Sequence, residues 1–245
     1  MSHDKSSFLK TKSHADEEVH WLSVSDLMAG LMMVFLFISI ALMRNAFLER
    51  DKVQIEKDKI KEIAVAYQEN QVAIFDELMS EFEPDLDKWG AEIDKDTLSF
   101  VFKSPDVLFA RGDISIRPQF KVILNDFFPR YLEVLLKFAD SINEVRIEGH
   151  TSSIWNGGTT DDGAYFKNMW LSQGRTRSVL QHVYLLKTIG AHKDWVKQHI
   201  AAVGFSSSKV IIENGVENHE RSRRVTFRAI TNAETQIRQI IEGVQ

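Results

Sequence analysis

Residues 25–43 read SDLMAGLMMVFLFISIALM. From Leu27 to Met43 no formal charge interrupts 17 residues, and counted from Trp21 the run reaches 23 residues with Asp26 as its only charge. A helix rises about 1.5 Å per residue, so this run covers roughly 34 Å, enough to cross a hydrocarbon core of about 30 Å. Trp21 stands where an interfacial aromatic belongs, and Arg44 closes the far end. Two other readings fit less well. The run is too long for a cleaved signal peptide, the twenty residues before it are not clearly basic, and no small-x-small cleavage site follows. A core helix of a soluble protein is the second, but the segment is apolar on all faces over several turns, which suits lipid better. The sequence therefore predicts a transmembrane helix over 21–43, preceded by a tail over 1–20.

Asp26 is the informative exception. A charge within a membrane helix costs about 2.5 kcal/mol or more, and such residues are usually functional. Near a helix end the cost falls, and Ser23, Ser25 and Asp26 all have N-capping chemistry. Asp26 is thus either a cap or an ion-carrying carboxylate that binds and releases a cation, most simply a proton. Gly30, one turn later on the same face, would let a partner helix approach closely. The basic residues leave orientation open. Lys5, Lys10 and Lys12 precede the span, while Arg44, Arg50, Lys52, Lys57, Lys59 and Lys61 follow it. Taken alone this puts the C-terminus in the cytoplasm, but the rule weakens when a long domain follows.

Across all 245 residues the net charge is −5, with acids and bases interleaved, which argues against a direct nucleic-acid binder. With no cysteine there is no disulfide frame, thiolate metal site or thiol nucleophile. The eight histidines show no metal-ligand spacing, and neither a Walker lysine motif nor a G-x-S-x-G elbow occurs. No catalytic residue, metal or cofactor is expected, and the chain does not read as an enzyme.

No glycine or proline lies between Gly30 and Pro84, and residues 44–62 are densely charged with both signs. Val53, Ile60, Tyr67 and Ile74 recur every seven residues, with Ala64, Gln71 and Leu78 between. This predicts a helical connector over 44–84, either a weak parallel coiled coil or a single helix packed on its own domain, ending by Pro84. Residues 85–245 carry strand signals at 98–102, 145–148, 200–205 and 225–229. Helical stretches fall at 118–138, at 164–189, broken only by Gly174, and at 232–242. The fold class expected is a single N-terminal transmembrane helix and helical stalk, then an α/β sandwich with a mixed sheet.

Three signatures stand in order within that domain: Glu148-Gly149-His150-Thr151-Ser152; Tyr165 with Asn168, Leu171, Ser172 and Arg175; and Ser222-Arg223-Arg224-Val225. Together they resemble the OmpA-like peptidoglycan-binding domain, whose pattern runs E-G-H-T-D, Y-N-x-x-L-S-x-x-R, N-R-R-V. The resemblance covers about residues 98–229 and implies binding of the carboxylate and amine of a peptide-stem diamino acid. It gives Thr151, Ser152, Tyr165, Asn168, Leu171, Arg175 and Arg224 as binding positions. An arginine forks onto a carboxylate bidentately, which suits Arg175. The family's acid for the amine is missing, because Ser152 stands in its place. The loop over 151–164 is longer than usual, and Asp161 or Asp162 within it could return an acid to the same site.

The span is also similar to that of MotB-type stator subunits, with Asp26-Leu27-Met28 and Leu31-Met32 matching the family's A-D-F-M-x-x-L-M. Within that group residues 25–33 most resemble the MotB-like component of Zorya anti-phage defence systems. The resemblance implies a bacterial inner-membrane, single-pass protein with a cytoplasmic N-terminus and a periplasmic C-terminal domain. It implies a homodimer inside a ring of MotA-like (ZorA-type) membrane subunits, anchored to peptidoglycan, with ions passing through Asp26. A flagellar stator subunit and a passive wall anchor are the alternatives.

Overall fold

The computed structural model describes residues 7–103, 105–232, 234 and 235, with side chains from Val24 onward except those of Pro105 and Asp106; most of the helix expected over 232–242 lies outside them. The chain divides into two units, Met1–Ile60 and Lys61–Gln245. A single helix, α1 (Ser7–Trp89), supplies all the described residues of the first and opens the second.

In the first unit every described side chain from Val24 to Ile60 is exposed, including Leu27 and Met32 at 73% each. An apolar surface of this length with no protein cover is what a lipid core would cover. Ser39 donates its hydroxyl to the Phe35 carbonyl at 2.7 Å, so even this polar group is satisfied within the helix. Because α1 begins at Ser7, Asp26 lies in the helix interior. The capping alternative therefore has no helix end to serve.

In the second unit the same helix acquires a buried face. Ile74, Leu78 and Phe82, spaced by four, are fully buried in the domain core. Ile74 and Leu78, two members of the expected seam, thus pack on the helix's own domain. The helix also runs past Pro84, where an end was expected, to Trp89. Proline removes one N–H there, while Phe82 before it and Trp89 after it are held in the core. Gly90 then ends the helix at φ 59°, a left-handed C-terminal glycine.

Next come β1 (Ala91–Asp94), β2 (Ser99–Phe102), the short α2 (Pro105–Leu108) and α3 (Pro118–Leu136). They are followed by β3 (Ile142–His150), α4 (Asp161–Tyr184), α5 (Lys193–His199) and β4 (Ile200–Ser206). A hairpin of β5 (Ile212–Glu213) and β6 (Val216–Glu217), a single turn α6 (His219–Ser222) and β7 (Arg224–Thr231) complete the domain. The main sheet has the order β1-β2-β7-β3-β4, antiparallel except for β3 with β4, which is the mixed α/β architecture expected. Strand β1, α5 and the β5–β6 hairpin were not anticipated from the sequence.

α3 starts on Pro118, whose missing N–H costs nothing in a first turn. Its Phe120, Leu124, Phe127, Phe128 and Tyr131 follow the helical period onto the sheet. Phe127 lies 4.5 Å from the ring of Phe100, 5.0 Å from Phe227 and 5.4 Å from Phe82, so β2, β7 and the end of α1 meet on one residue.

Candidate functional site

The site is built where the parallel strands β3 and β4 end. Gly149 pairs with Gly204 across them, and α4 lies directly over the pair. A Cβ at Gly149 would stand 2.8 Å from the Ser172 carbonyl oxygen, and one at Gly204 would stand 2.5 Å from the Gln173 nitrogen. Only glycine admits the helix backbone this close. The contact is pinned by hydrogen bonds. The Ser206 N–H donates to Ser172 Oγ at 3.1 Å, the Ser206 hydroxyl donates to the Tyr165 carbonyl at 2.7 Å, and the Thr151 N–H donates to the Ser206 carbonyl at 2.9 Å.

Beyond this seam opens a cleft of about 450 Å³. Thr151, Ser152, Asn168, Leu171 and Arg175, five of the residues expected to bind, all line it. Asn168 is buried and donates its amide to the Ser152 carbonyl at 3.1 Å and the Ile154 carbonyl at 3.4 Å, fixing the loop after β3. Arg175 donates from Nε to the Asp113 carbonyl at 2.9 Å and from an Nη to the Ala110 carbonyl at 3.2 Å. Its guanidinium stacks 4.9 Å from the Phe109 ring centre. These contacts fix its plane in the cleft wall. The Thr151 hydroxyl is buried there without a hydrogen-bond partner, a donor and acceptor left for an occupant.

The other expected residues lie elsewhere. Asp161 and Asp162 are exposed in the first turn of α4, where their charge favours the helix N-terminus; neither lines the cleft. Tyr165 is not among the lining residues and packs against Phe166 at 5.5 Å. Arg224 donates to the Lys209 carbonyl at 3.3 Å and the Ser222 carbonyl at 3.2 Å, while its neighbour Arg223 lines the cleft instead. Successive residues entering a strand point to opposite sides, so only one of the pair can face the site. The side of Arg223, whose buried Nε has no partner, is the cleft side.

Arg111, Trp155, Asn156 and His219 also line the cleft, and sequence reasoning missed them. Three arginines and a histidine with no carboxylate among the lining residues make a site suited to an anion. A usable signal existed for His219. Asn214 and Gly215 both have positive φ, 52° and 80°, the two-residue turn that an Asn-Gly pair favours, and that turn folds β6 and α6 back against the cleft. Among the described residues no group of three or more His, Cys, Asp and Glu could hold a metal.

Glu148 and His150 alternate with Gly149 along β3 and so lie on the opposite face. His150 stacks on Phe205 at 5.3 Å, with Nε2 3.4 Å from Glu148, and burial holds its imidazole pKa below the usual value. This pair supports the sheet and does not line the cleft.

No protein-family model matches the chain. It is 58% identical over 232 residues, 94% of this chain and 95% of the relative, to Zorya protein ZorB of Escherichia coli. The chain belongs to the Zorya ZorB family. With 232 of 245 residues in the match, neither the apolar span nor the cleft-bearing domain falls outside it. Among solved structures it is similar to a MotB-like protein from Desulfovibrio vulgaris at 20% identity, with 69% of this chain and 94% of that one covered and a TM-score of 0.49. It is similar also to the cell wall anchor of the T6SS from Pseudomonas aeruginosa at 21% identity, covering 63% and 97% with a TM-score of 0.44.

Proposed function

We propose that this chain is a stator-like membrane subunit of an anti-phage defence complex, in which Asp26 carries ions while the cleft domain holds the subunit to peptidoglycan. The observation that carries the reading is the position of Asp26. It is the only formal charge in a 23-residue apolar run and it lies inside a helix, where it caps nothing. A carboxylate placed there at an insertion cost of about 2.5 kcal/mol needs a compensating role, and reversible protonation is the simplest. The family relationship supports the defence setting. The cationic cleft, with motif residues Thr151, Asn168 and Arg175 in its wall, supports wall binding through carboxylates of the peptide stem.

In this proposal two copies sit inside a ring of MotA-like membrane subunits. The N-terminus is cytoplasmic, the chain crosses the inner membrane once, and the cleft domain is periplasmic. Gly30, one turn from Asp26, has no heavy atom within 4 Å of an added Cβ in the single chain, so a neighbouring helix can come up against it.

The test is Asp26→Asn. Asparagine keeps the shape and hydrogen-bonding capacity but cannot exchange a proton. The variant should insert and bind sacculi like wild type, yet abolish phage protection and any proton entry measured as cytoplasmic acidification. Full protection by a properly inserted Asp26→Asn protein would remove ion carriage from the reading.

A further inference from the structure

The cleft lacks a carboxylate among its lining residues, yet one stands immediately behind its rim. Glu217, at the end of β6, reaches back to the loop that follows β3. Its carboxylate accepts the Ser153 N–H at 3.0 Å and also the Ser153 hydroxyl. It lies 3.2 Å from Nδ1 of His219, and its side chain is only 12% exposed. Ser153 is the residue after Ser152, and His219 itself lines the cleft. The carboxylate is therefore bonded to two sides of the rim, one in the loop and one in α6. Burial pushes its pKa up, but the Ser153 donors and His219 outweigh this and hold it below the ordinary carboxylate value, so it is ionised at neutral pH.

We propose that Glu217 is the anionic pole of the cleft: of the diamino-acid ligand that the peptidoglycan-binding pattern implies, the ammonium meets Glu217 while the carboxylate meets the arginines. Arg223 and Arg175 form the cationic side. His219 holds the place on Glu217 that the ammonium takes, and the unpartnered Thr151 hydroxyl supplies a further polar contact. This assignment deepens the wall-binding reading and rests on it. It moves the acid from Ser152, where the peptidoglycan-binding pattern has one, to a hairpin remote in sequence, and it gives Asp161 and Asp162 no part.

The experiment uses the full chain purified in detergent and two soluble muropeptides. One has a free ammonium and carboxylate on its diamino acid; the other is identical but N-acetylated at that amine. Binding is measured for wild type and for Glu217→Gln, with co-sedimentation on sacculi and a thermal melt as controls. Wild type should prefer the free amine by about tenfold or more, the range of a charge-assisted contact. Glu217→Gln should lose that preference while binding the acetylated muropeptide as wild type does. If Glu217→Gln weakens both muropeptides equally, or keeps the preference, Glu217 only shapes the loop and the assignment is overturned. If wild type binds neither muropeptide nor sacculi, the wall-binding reading itself fails, a separate result from the loss of the Glu217 assignment.

Discussion

Replacing Arg130 by alanine should cost about 3 kcal/mol, because one guanidinium fastens the end of α1 to α3. Its Nε donates to Glu81 at 2.6 Å, one Nη to Asp85 at 2.9 Å, and the other Nη to the Glu81 carbonyl at 2.8 Å. The plane also stacks 4.7 Å from the Phe82 ring centre and 5.9 Å from Trp89. These contacts differ in weight. Asp85 is 17% exposed, so its charge-assisted bond contributes about 1.5–2 kcal/mol. Glu81 is 40% exposed and its carboxylate pair contributes well under 1 kcal/mol, while Asp126 at 3.4 Å and 53% exposure contributes almost nothing. The stacking adds about 0.5–1 kcal/mol, and the orphaned Glu81 carbonyl accounts for the rest. For a domain of this size the loss should lower Tm by about 6–12 °C. The assay is denaturant unfolding of the full chain in detergent with hydrogen exchange across 74–89, where protection should fall first. Arg130→Lys should recover less than half, since an ammonium cannot span the fork. Lys88→Ala, which removes a 71% exposed partner of Asp85 at 3.6 Å, should change nothing measurable. A loss below about 1 kcal/mol for Arg130→Ala, or equal losses for Arg130→Ala and Lys88→Ala, would refute the claim that this cation fastens the helix.

Gly204→Ala should cost about 2–3 kcal/mol and weaken sacculus binding, because its methyl meets the Gln173 backbone at 2.5 Å and α4 must move; Gly157→Ala, with nothing within 4 Å, should be silent in both the thermal melt and the co-sedimentation assay. Stability should fall as pH drops below about 6.5, because burial keeps His150 neutral when folded while the unfolded imidazole takes up the proton first. Glu148, Arg224 and Lys209 surround His150, and the half-buried His182 acts in the same direction; His150→Gln should flatten, without abolishing, the slope of unfolding free energy against pH between 7 and 5.

Much of the architecture was legible because it depends on repeated local signals. The apolar span is set by a run of side chains, and α3 by Pro118 followed by apolar residues at helical spacing. The cleft was partly legible for a different reason. Asn168, Leu171 and Arg175 share one face of α4, and Thr151 and Ser152 follow the end of β3, so a motif written along the chain is also close in space. What stayed hidden depends on tertiary choices. Ile74 and Leu78 obey a seven-residue spacing that serves a coiled coil and a domain core equally well, and only the presence of α3 and the sheet decides between them. Pro84 signals a helix end, yet packing of Phe82 and Trp89 on either side outweighs one missing hydrogen bond. The choice of Arg223 over Arg224 is a matter of strand phase, which the sequence of two adjacent arginines cannot express.

The same distinction bears on how an acid could leave Ser152 without loss of the site. The seam that fixes the cleft consists of Gly149, Gly204, Ser172 and Ser206, and none of these supplies ligand chemistry. The rim is separate: the loop after β3 is held by Asn168, and the hairpin turning at Asn214-Gly215 brings a second strand against it. A helix-borne acid at Asp161 or Asp162 would have to leave a favourable N-terminal position to reach the cleft. Glu217 is already there, with Ser153 and His219 on it before any ligand arrives. On the assignment proposed above, exchanging the acid between segments therefore leaves the seam, and the fold it fixes, unchanged.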